Sequence, residues 1–243
     1  MKTVGNSDIG MRREKNEDSF RFGSFNDGVV WAVVCDGMGG AAAGERASSI
    51  ATEVIGEKIQ KCYNHSMSEK SLENLLLSAI TTANVAVYDT AEADPSLSGM
   101  GTTVVAAIIK NNIATVAHVG DSRAYYISGQ NISQITKDHS LVQEMYDNGQ
   151  ITKEELENHP NKNIITRVLG LREKVEIDFD TIDMSSQDAL ILCSDGLSGC
   201  VNDEKLLEIY ENNEFESIAA RYIEAANNAG GPDNITVVAM LCE

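Results

Sequence analysis

Nowhere in this chain of 243 residues do eighteen apolar residues follow one another, so the sequence offers no membrane-spanning helix. Its first residues, Met1-Lys2-Thr3-Val4-Gly5-Asn6-Ser7-Asp8, lack the apolar centre of a signal peptide, and a cytoplasmic protein is expected. The five cysteines, at 35, 62, 193, 200 and 242, include no CxxC pair. An odd, unpatterned set reads as reduced thiols and argues against zinc or an iron–sulfur cluster. The four histidines, at 65, 118, 139 and 159, form no HExxH. Basic residues are scarcest relative to need: 19 Lys and Arg against 37 Asp and Glu leave a net charge of −18, which excludes a nucleic-acid groove. The simplest use of that acidity is solubility. The alternative is that some carboxylates gather divalent cations, which a negative protein acting on phosphate needs in order to reverse its local sign.

Apolar residues make up 42% of the chain, enough for a substantial core in one large domain or two small ones. Seven of them run without interruption from Val29 to Cys35, a length and β-branched content that suit a fully buried strand. The run stops at Asp36, and Gly37-Met38-Gly39-Gly40 follow. A carboxylate at the end of a buried strand is costly unless a cation or fixed hydrogen bonds answer it. Glycines beside it let another group approach the backbone. Asp36 is therefore a candidate metal ligand, set against a plain strand end and glycine turn. Nucleotide readings of the glycines fail on context. Gly37-x-Gly39-x-x-Ala42 is followed by two helical stretches instead of the strand a dinucleotide fold requires. Gly39 to Gly44 has P-loop spacing, but Glu45 and Arg46 stand where Lys and Ser/Thr belong.

Periodicity places helices at residues 42–63 and 71–91, each with an apolar stripe. A hairpin turning at Asn26-Asp27-Gly28 leads into the Asp36 strand. Short strands follow at 102–109, 113–119, 123–128 and 131–136, read as one antiparallel meander. Residues 139–170 form a small helical insertion, with Ser140 a candidate N-cap and Thr152 to Glu155 at capping-box spacing. Strands at 175–182, 189–193 and 235–241 and helices at 203–210 and 214–228 complete the chain.

Asp18, Asp36, Asp121, Asp195 and Asp233 share one context, each at a strand–loop junction, and Asp36 and Asp195 are both followed by glycine. Converging carboxylates without counter-ions repel one another and raise their pKa values. Mg²⁺ or Mn²⁺ relieves this, since hard cations prefer oxygen ligands and no His or Cys stands at these acidic positions. Two such ions about 3.5–4 Å apart can share one water and lower its pKa toward neutrality. Arg13, on the loop before Asp18, carries a planar fork suited to phosphate oxygens. This is equipment for hydrolysing a phosphate monoester by direct attack of water.

The ordered motifs Gly10-Met11-Arg12-Arg13-Glu14-Lys15-Asn16-Glu17-Asp18, Cys35-Asp36-Gly37-Met38-Gly39-Gly40 with Gly44-Glu45, Gly99-Met100-Gly101-Thr102-Thr103, His118-Val119-Gly120-Asp121-Ser122-Arg123, Thr136-Lys137-Asp138-His139-Ser140, Cys193-Ser194-Asp195-Gly196-Leu197 and Gly231-Pro232-Asp233-Asn234-Ile235-Thr236 resemble those of the bacterial metal-dependent serine/threonine protein phosphatases, type 2C or PPM. The likeness covers roughly residues 3–241. It implies an α+β fold, a central β-sandwich of two antiparallel sheets flanked by helix pairs in four layers, as a single domain over residues 1–243 with a flap at about 139–170. It also implies two core ions, Mn²⁺ or Mg²⁺. Asp36 would bridge them, with Asp195 and Asp233 on the first and the Gly37 carbonyl on the second. Asp18 would hold the waters, and Glu17 stands where some members place a direct ligand. Asp121 with Asp195 would form a weaker third site, and Arg13 would hold the substrate phosphate. The implied partners are phosphoproteins, among them a serine/threonine kinase and its substrates, and the expected state is a monomer. The remaining alternatives are a hydrolase of small phosphomonoesters and a non-catalytic phosphoprotein-binding module. The chain departs from many members in one respect. Met38 replaces a histidine proposed as general acid in animal members, and Ala41 stands where many bacterial relatives carry one. The leaving-group proton must then come from water or another residue, and His118 reads as a core histidine.

Overall fold

Alternation along the strands decides the layering. The apolar run before Asp36 lies in β3 (Val30–Met38). Its residues Trp31, Val33 and Cys35 join one buried cluster with Ile55, Leu76 and Ile80 of two helices. Val30, Ala32 and Val34 join a second cluster with Leu192 and Val238 of other strands. A strand buried on both faces is what a central layer requires. This computed structural model describes residues 1–39 and 43–243. Gly40, Ala41 and Ala42 lie outside the described residues, among them the expected first residue of the first helix and the departure from the resembling family at Ala41.

One sheet is ordered β2 (Asp18–Ser24), β3, β5 (Val104–Lys110), β6 (Ile113–Val119) and β9 (Asp178–Asp183), with the short β4 (Gly101–Thr102) paired to the end of β3. The other is ordered β1 (Lys2–Asp8), β11 (Ile235–Leu241), β10 (Ala189–Cys193), β7 (Arg123–Ser128) and β8 (Asn131–Gln134). The strand pairings in both are antiparallel. Helices α1 (Ala43–Cys62) and α2 (Glu69–Ala93) cover the outer face of the first sheet. Helices α6 (Asp203–Glu211) and α7 (Ile218–Asn228) cover the second, around the buried Tyr222 and Ile218. The four-layer sandwich expected from the motifs is therefore present.

Several details differ from the sequence reading. Strand β3 runs on through Asp36 and Gly37 to Met38 where a strand end at Asp36 was expected, because its end pairs with β4. The expected meander changes sheets: β5 and β6 pair in one, β7 and β8 in the other, and Gly120-Asp121-Ser122 carries the crossing. Gly120 has φ +111, which suits glycine at that bend. The strand foreseen at 175–182 begins at Asp178, because its partner β6 ends near His118; Val175 and Ile177 instead pack against the α1–α2 core. Asp195 opens a single-turn helix, α5 (Asp195–Ser198), that the sequence did not announce.

The insertion at 139–170 carries α3 (Leu141–Asp147), capped by Ser140, and α4 (Lys153–Asn158), whose Thr152–Glu155 capping box is formed. Its base is tied down. Ser140 bridges Ile165, and Leu169 exchanges backbone hydrogen bonds with Thr102 beside the end of β3.

Candidate active site

Strand register brings the five aspartates to one end of the sandwich. Asp18 opens β2 and is the cross-strand partner of Asp36. Two strands along, β5 starts opposite Val119, two residues before Asp121. In the other sheet Cys193 is aligned with Arg123 and Val237, so Asp195, Asp121 and Asp233 follow the same edge. The charges meet: Asp36 is close enough to sense Asp18, Asp195, Asp121 and Asp233.

Glycine after the acids allows this closeness. A Cβ on Gly37 would stand 2.1 Å from the Gly44 carbonyl oxygen, and one on Gly196 would stand 1.9 Å from that of Asn234. Both Asp-Gly pairs thus mark places where a neighbouring loop lies directly on the backbone that presents the carboxylate. Asp36 is further fixed through its main chain. Its N–H donates to the Thr103 hydroxyl (2.9 Å), and its carbonyl accepts from the Thr102 hydroxyl (2.8 Å).

The loop carrying Arg13 is stapled by Asn234. That side chain donates to the carbonyls of Ile9 (2.9 Å) and Lys15 (2.8 Å) and accepts from the N–H of Glu17 (2.8 Å). Arg13 itself reaches across to Asp233, Nη2 to Oδ2 2.6 Å, with both side chains partly open to solvent. The sequence assigned Arg13 to phosphate and did not foresee this pair. Glu17 also lies here. Its carbonyl accepts from the N–H of Gly37 (3.1 Å) and the Ser48 hydroxyl (2.6 Å), while burial raises the pKa of its carboxyl.

The electrostatic cost is plain. Burial and then the neighbouring carboxylates push Asp36 well above the usual range. Burial lifts Asp18 to about 7 against hydrogen bonds from Ser194 and Thr236, with Asp195 and Asp233 adding to the rise. Asp121 rises to about 8 through burial, Asp195 and Asp138, and Asp195 rises through burial and Asp233. Three carboxylate oxygens, Oδ1 of Asp18, of Asp121 and of Asp195, are buried and have no hydrogen-bond partner among the described residues. Orphaned buried acceptors beside like charges are what a divalent cation corrects, and an all-oxygen donor set suits Mg²⁺ or Mn²⁺. The residues present fit such ions.

The family model for protein phosphatase 2C matches residues 7–239. The chain belongs to the protein phosphatase 2C family. It is 38% identical over 233 residues to the serine/threonine phosphatase stp of Listeria monocytogenes, covering 96% of this chain and 92% of that one. The solved serine/threonine phosphatase of S. agalactiae superposes with a TM-score of 0.92 at 32% identity, covering 100% and 99% of the two chains. The catalytic domain of the phosphatase PstP, solved in complex with two manganese ions, superposes with a TM-score of 0.85 at 35% identity, covering 100% and 98%.

A second cluster in this phosphatase 2C chain has the spacing of a metal site but not its chemistry. His118, His139 and Asp178 offer ligand atoms within 4.8 Å of one another. His139 Nδ1 accepts from the Gly120 N–H (3.0 Å), so its proton sits on Nε2, which faces Asp178 Oδ2 (3.2 Å). The Arg167 guanidinium already occupies the place of a cation, 3.1 Å from that Nε2 and 2.6 Å from Asp178 Oδ1. The His118 ring stacks on His139 at 4.6 Å and contacts the Lys137 carbonyl through Nε2 (2.8 Å). The cluster ties the base of the 139–170 insertion to the Gly120 crossing, and it matches the core role expected of His118. A groove of about 700 Å³ between α6 and α7 is lined by none of the five aspartates.

Ser194, Asn234 and the pair Thr102-Thr103 all lie inside motifs noted in the sequence, yet no role followed from their residue types. Their work is hydrogen bonding to backbone and carboxylate, which spacing does not reveal.

Proposed function

We propose that this chain is a metal-dependent protein serine/threonine phosphatase that hydrolyses phosphoserine and phosphothreonine by direct attack of water. In this reading Asp36, the Gly37 carbonyl, Asp195 and Asp233 hold two core cations, Mn²⁺ or Mg²⁺, and Asp121 with Asp195 holds a weaker third. When bound, the cations offset the charge of the phosphate and acidify the attacking water. Asp18 orients the water through hydrogen bonds. Arg13 turns its fork from Asp233 to the non-bridging phosphate oxygens, a charge-assisted contact that neutral donors match only in part. The proton for the departing alkoxide comes from solvent or from a residue other than position 38, which is Met38.

The observation that carries this reading is the convergence of Asp18, Asp36, Asp121, Asp195 and Asp233 with three of their oxygens buried and unpartnered among the described residues. The family membership and the Mn²⁺-bound relative support it. The chain works as one domain and as a monomer in the cytoplasm, with residues 139–170 as a flap beside the site and a serine/threonine kinase and its substrates as its phosphoproteins. The test is phosphate release from a phosphothreonine peptide with and without Mn²⁺. Metal-dependent release that is lost in Asp36→Asn and Asp195→Ala is expected; undiminished release in either variant contradicts the mechanism.

A further inference from the structure

Ser194 stands at the N-cap of α5, where a serine hydroxyl ordinarily accepts a hydrogen bond from the first helical turn. It makes no such bond. The side chain is fully buried, and its hydroxyl is turned the other way. Oγ donates to Asp18 Oδ2 (2.6 Å) and accepts from the Thr236 N–H (3.0 Å). Ser194 and Thr236 are also joined through their main chains, Ser194 N–H to the Thr236 carbonyl (3.1 Å). The Thr236 hydroxyl meets Ser7 Oγ (2.8 Å), which accepts from the Asn16 amide (2.8 Å). The Ser194 hydroxyl, which holds Asp18 together with Thr236, is thus anchored to the ends of β10, β11 and β1. The other oxygen of that carboxylate, Oδ1, is buried and has no partner among the described residues.

We propose that Ser194 is a positioning residue for the cation site: its hydroxyl pins Asp18 Oδ2 and leaves Oδ1 as the one oxygen presented to the ions and their waters. A carboxylate turns about its last bond with a nearly two-fold, soft preference. Fixing one oxygen removes that freedom before a cation arrives. The helix cap forgone at α5 shows the hydroxyl committed to Asp18 at the expense of the local bond a serine at this place ordinarily makes. Hydrogen bonds one step removed from a metal commonly govern affinity or activity by about 10–100-fold.

This inference rests on the reading of the aspartates as a cation site, and the experiment separates the two. Mn²⁺ binding is followed by electron paramagnetic resonance of the free ion on the full chain, for wild type, Ser194→Ala, Asp18→Asn and the double variant. The expected result is a loss of Mn²⁺ affinity of about tenfold in Ser194→Ala, with little further loss when it is added to Asp18→Asn, since the two side chains act as one unit. Ser194→Cys, nearly isosteric and a weak donor, should fall between wild type and alanine; it carries the same cycle if the alanine variant does not fold. Turnover of a phosphothreonine peptide should lose kcat with KM unchanged. Additive effects of the two substitutions, or unchanged Mn²⁺ affinity in Ser194→Ala or Ser194→Cys, overturn the role of Ser194 and leave the cation site standing. Wild-type protein that binds no Mn²⁺ overturns both.

Discussion

Removing divalent cations should make this protein less stable as the pH rises through neutrality, the reverse of the usual behaviour of carboxylates. Asp121 shows why. Burial, Asp195 and Asp138 raise its carboxyl from 3.8 to about 8 in the folded chain. The folded state therefore holds its proton more tightly than the unfolded state does. The stability this confers is complete below the unfolded value and is lost as pH climbs through the folded one. The full shift is worth about 6 kcal/mol for Asp121 taken alone, spread from roughly pH 4 to 8. Between about pH 6.5 and 8, where buried His139 stays neutral, about 2 kcal/mol of it is lost, or a fall of about 6 °C in Tm for a chain of this size. Asp18, raised to about 7, adds loss of the same sign at the lower end of that interval. The assay is thermal unfolding in chelator at closely spaced pH values, repeated with excess Mn²⁺. Chelated protein should lose Tm across the interval, and Asp121→Asn should flatten the curve and raise Tm at pH 8. With Mn²⁺ the slope should vanish or reverse, because the ion competes with protons for the same oxygens. Chelated wild-type protein whose Tm is flat or rises from pH 6.5 to 8 would refute the claim that these acids crowd one another.

Arg13→Ala should raise KM for a phosphothreonine peptide by about 10-fold or more, as expected for losing a charge-assisted phosphate contact; unchanged steady-state kinetics would remove Arg13 from substrate binding. His139 is held down to about 4 by burial, then by His118 and Arg167, against an ordinary 6.5. The unfolded chain protonates first, so stability should drop by up to about 3 kcal/mol as pH falls from about 6.5 toward 4. His139→Gln in Mn²⁺-loaded protein should lessen that drop, as read by denaturant titration. Asn234→Ala removes three hydrogen bonds that close the loop over residues 9–17. It should cost about 1–3 kcal/mol and expose that loop to limited proteolysis, seen as a new cleavage between Ile9 and Glu17.

The motifs carried the sandwich and the convergence of the acids, and physical pattern alone carried a good part of the elements. Val29 to Cys35 announced a buried strand, and its residues divide alternately between the two buried clusters on either face. Ser140 and Thr152–Glu155 announced helix starts because a capping side chain acts within its own turn. What stayed hidden depended on contacts distant in sequence. Nothing local says that Gly120 carries the chain from one sheet to the other, since short connections serve both a meander and a crossing. Nothing local pairs Arg13 with Asp233, 220 residues away. Ser194 stands in the sequence only as part of the Cys193-Ser194-Asp195-Gly196-Leu197 motif, and only the tertiary structure shows its hydroxyl turned toward Asp18. His118, His139 and Arg167 likewise meet only after β6, the base of the 139–170 insertion and β9 are in place.

Anomalous scattering from a crystal soaked in Mn²⁺ addresses the cation site most directly. Two strong peaks about 4 Å apart, one on each side of Asp36 and within ligand distance of Asp195, Asp233 and the Gly37 carbonyl, are expected. Peaks absent from that cluster, or a sole peak between His118, His139 and Asp178, would contradict the account.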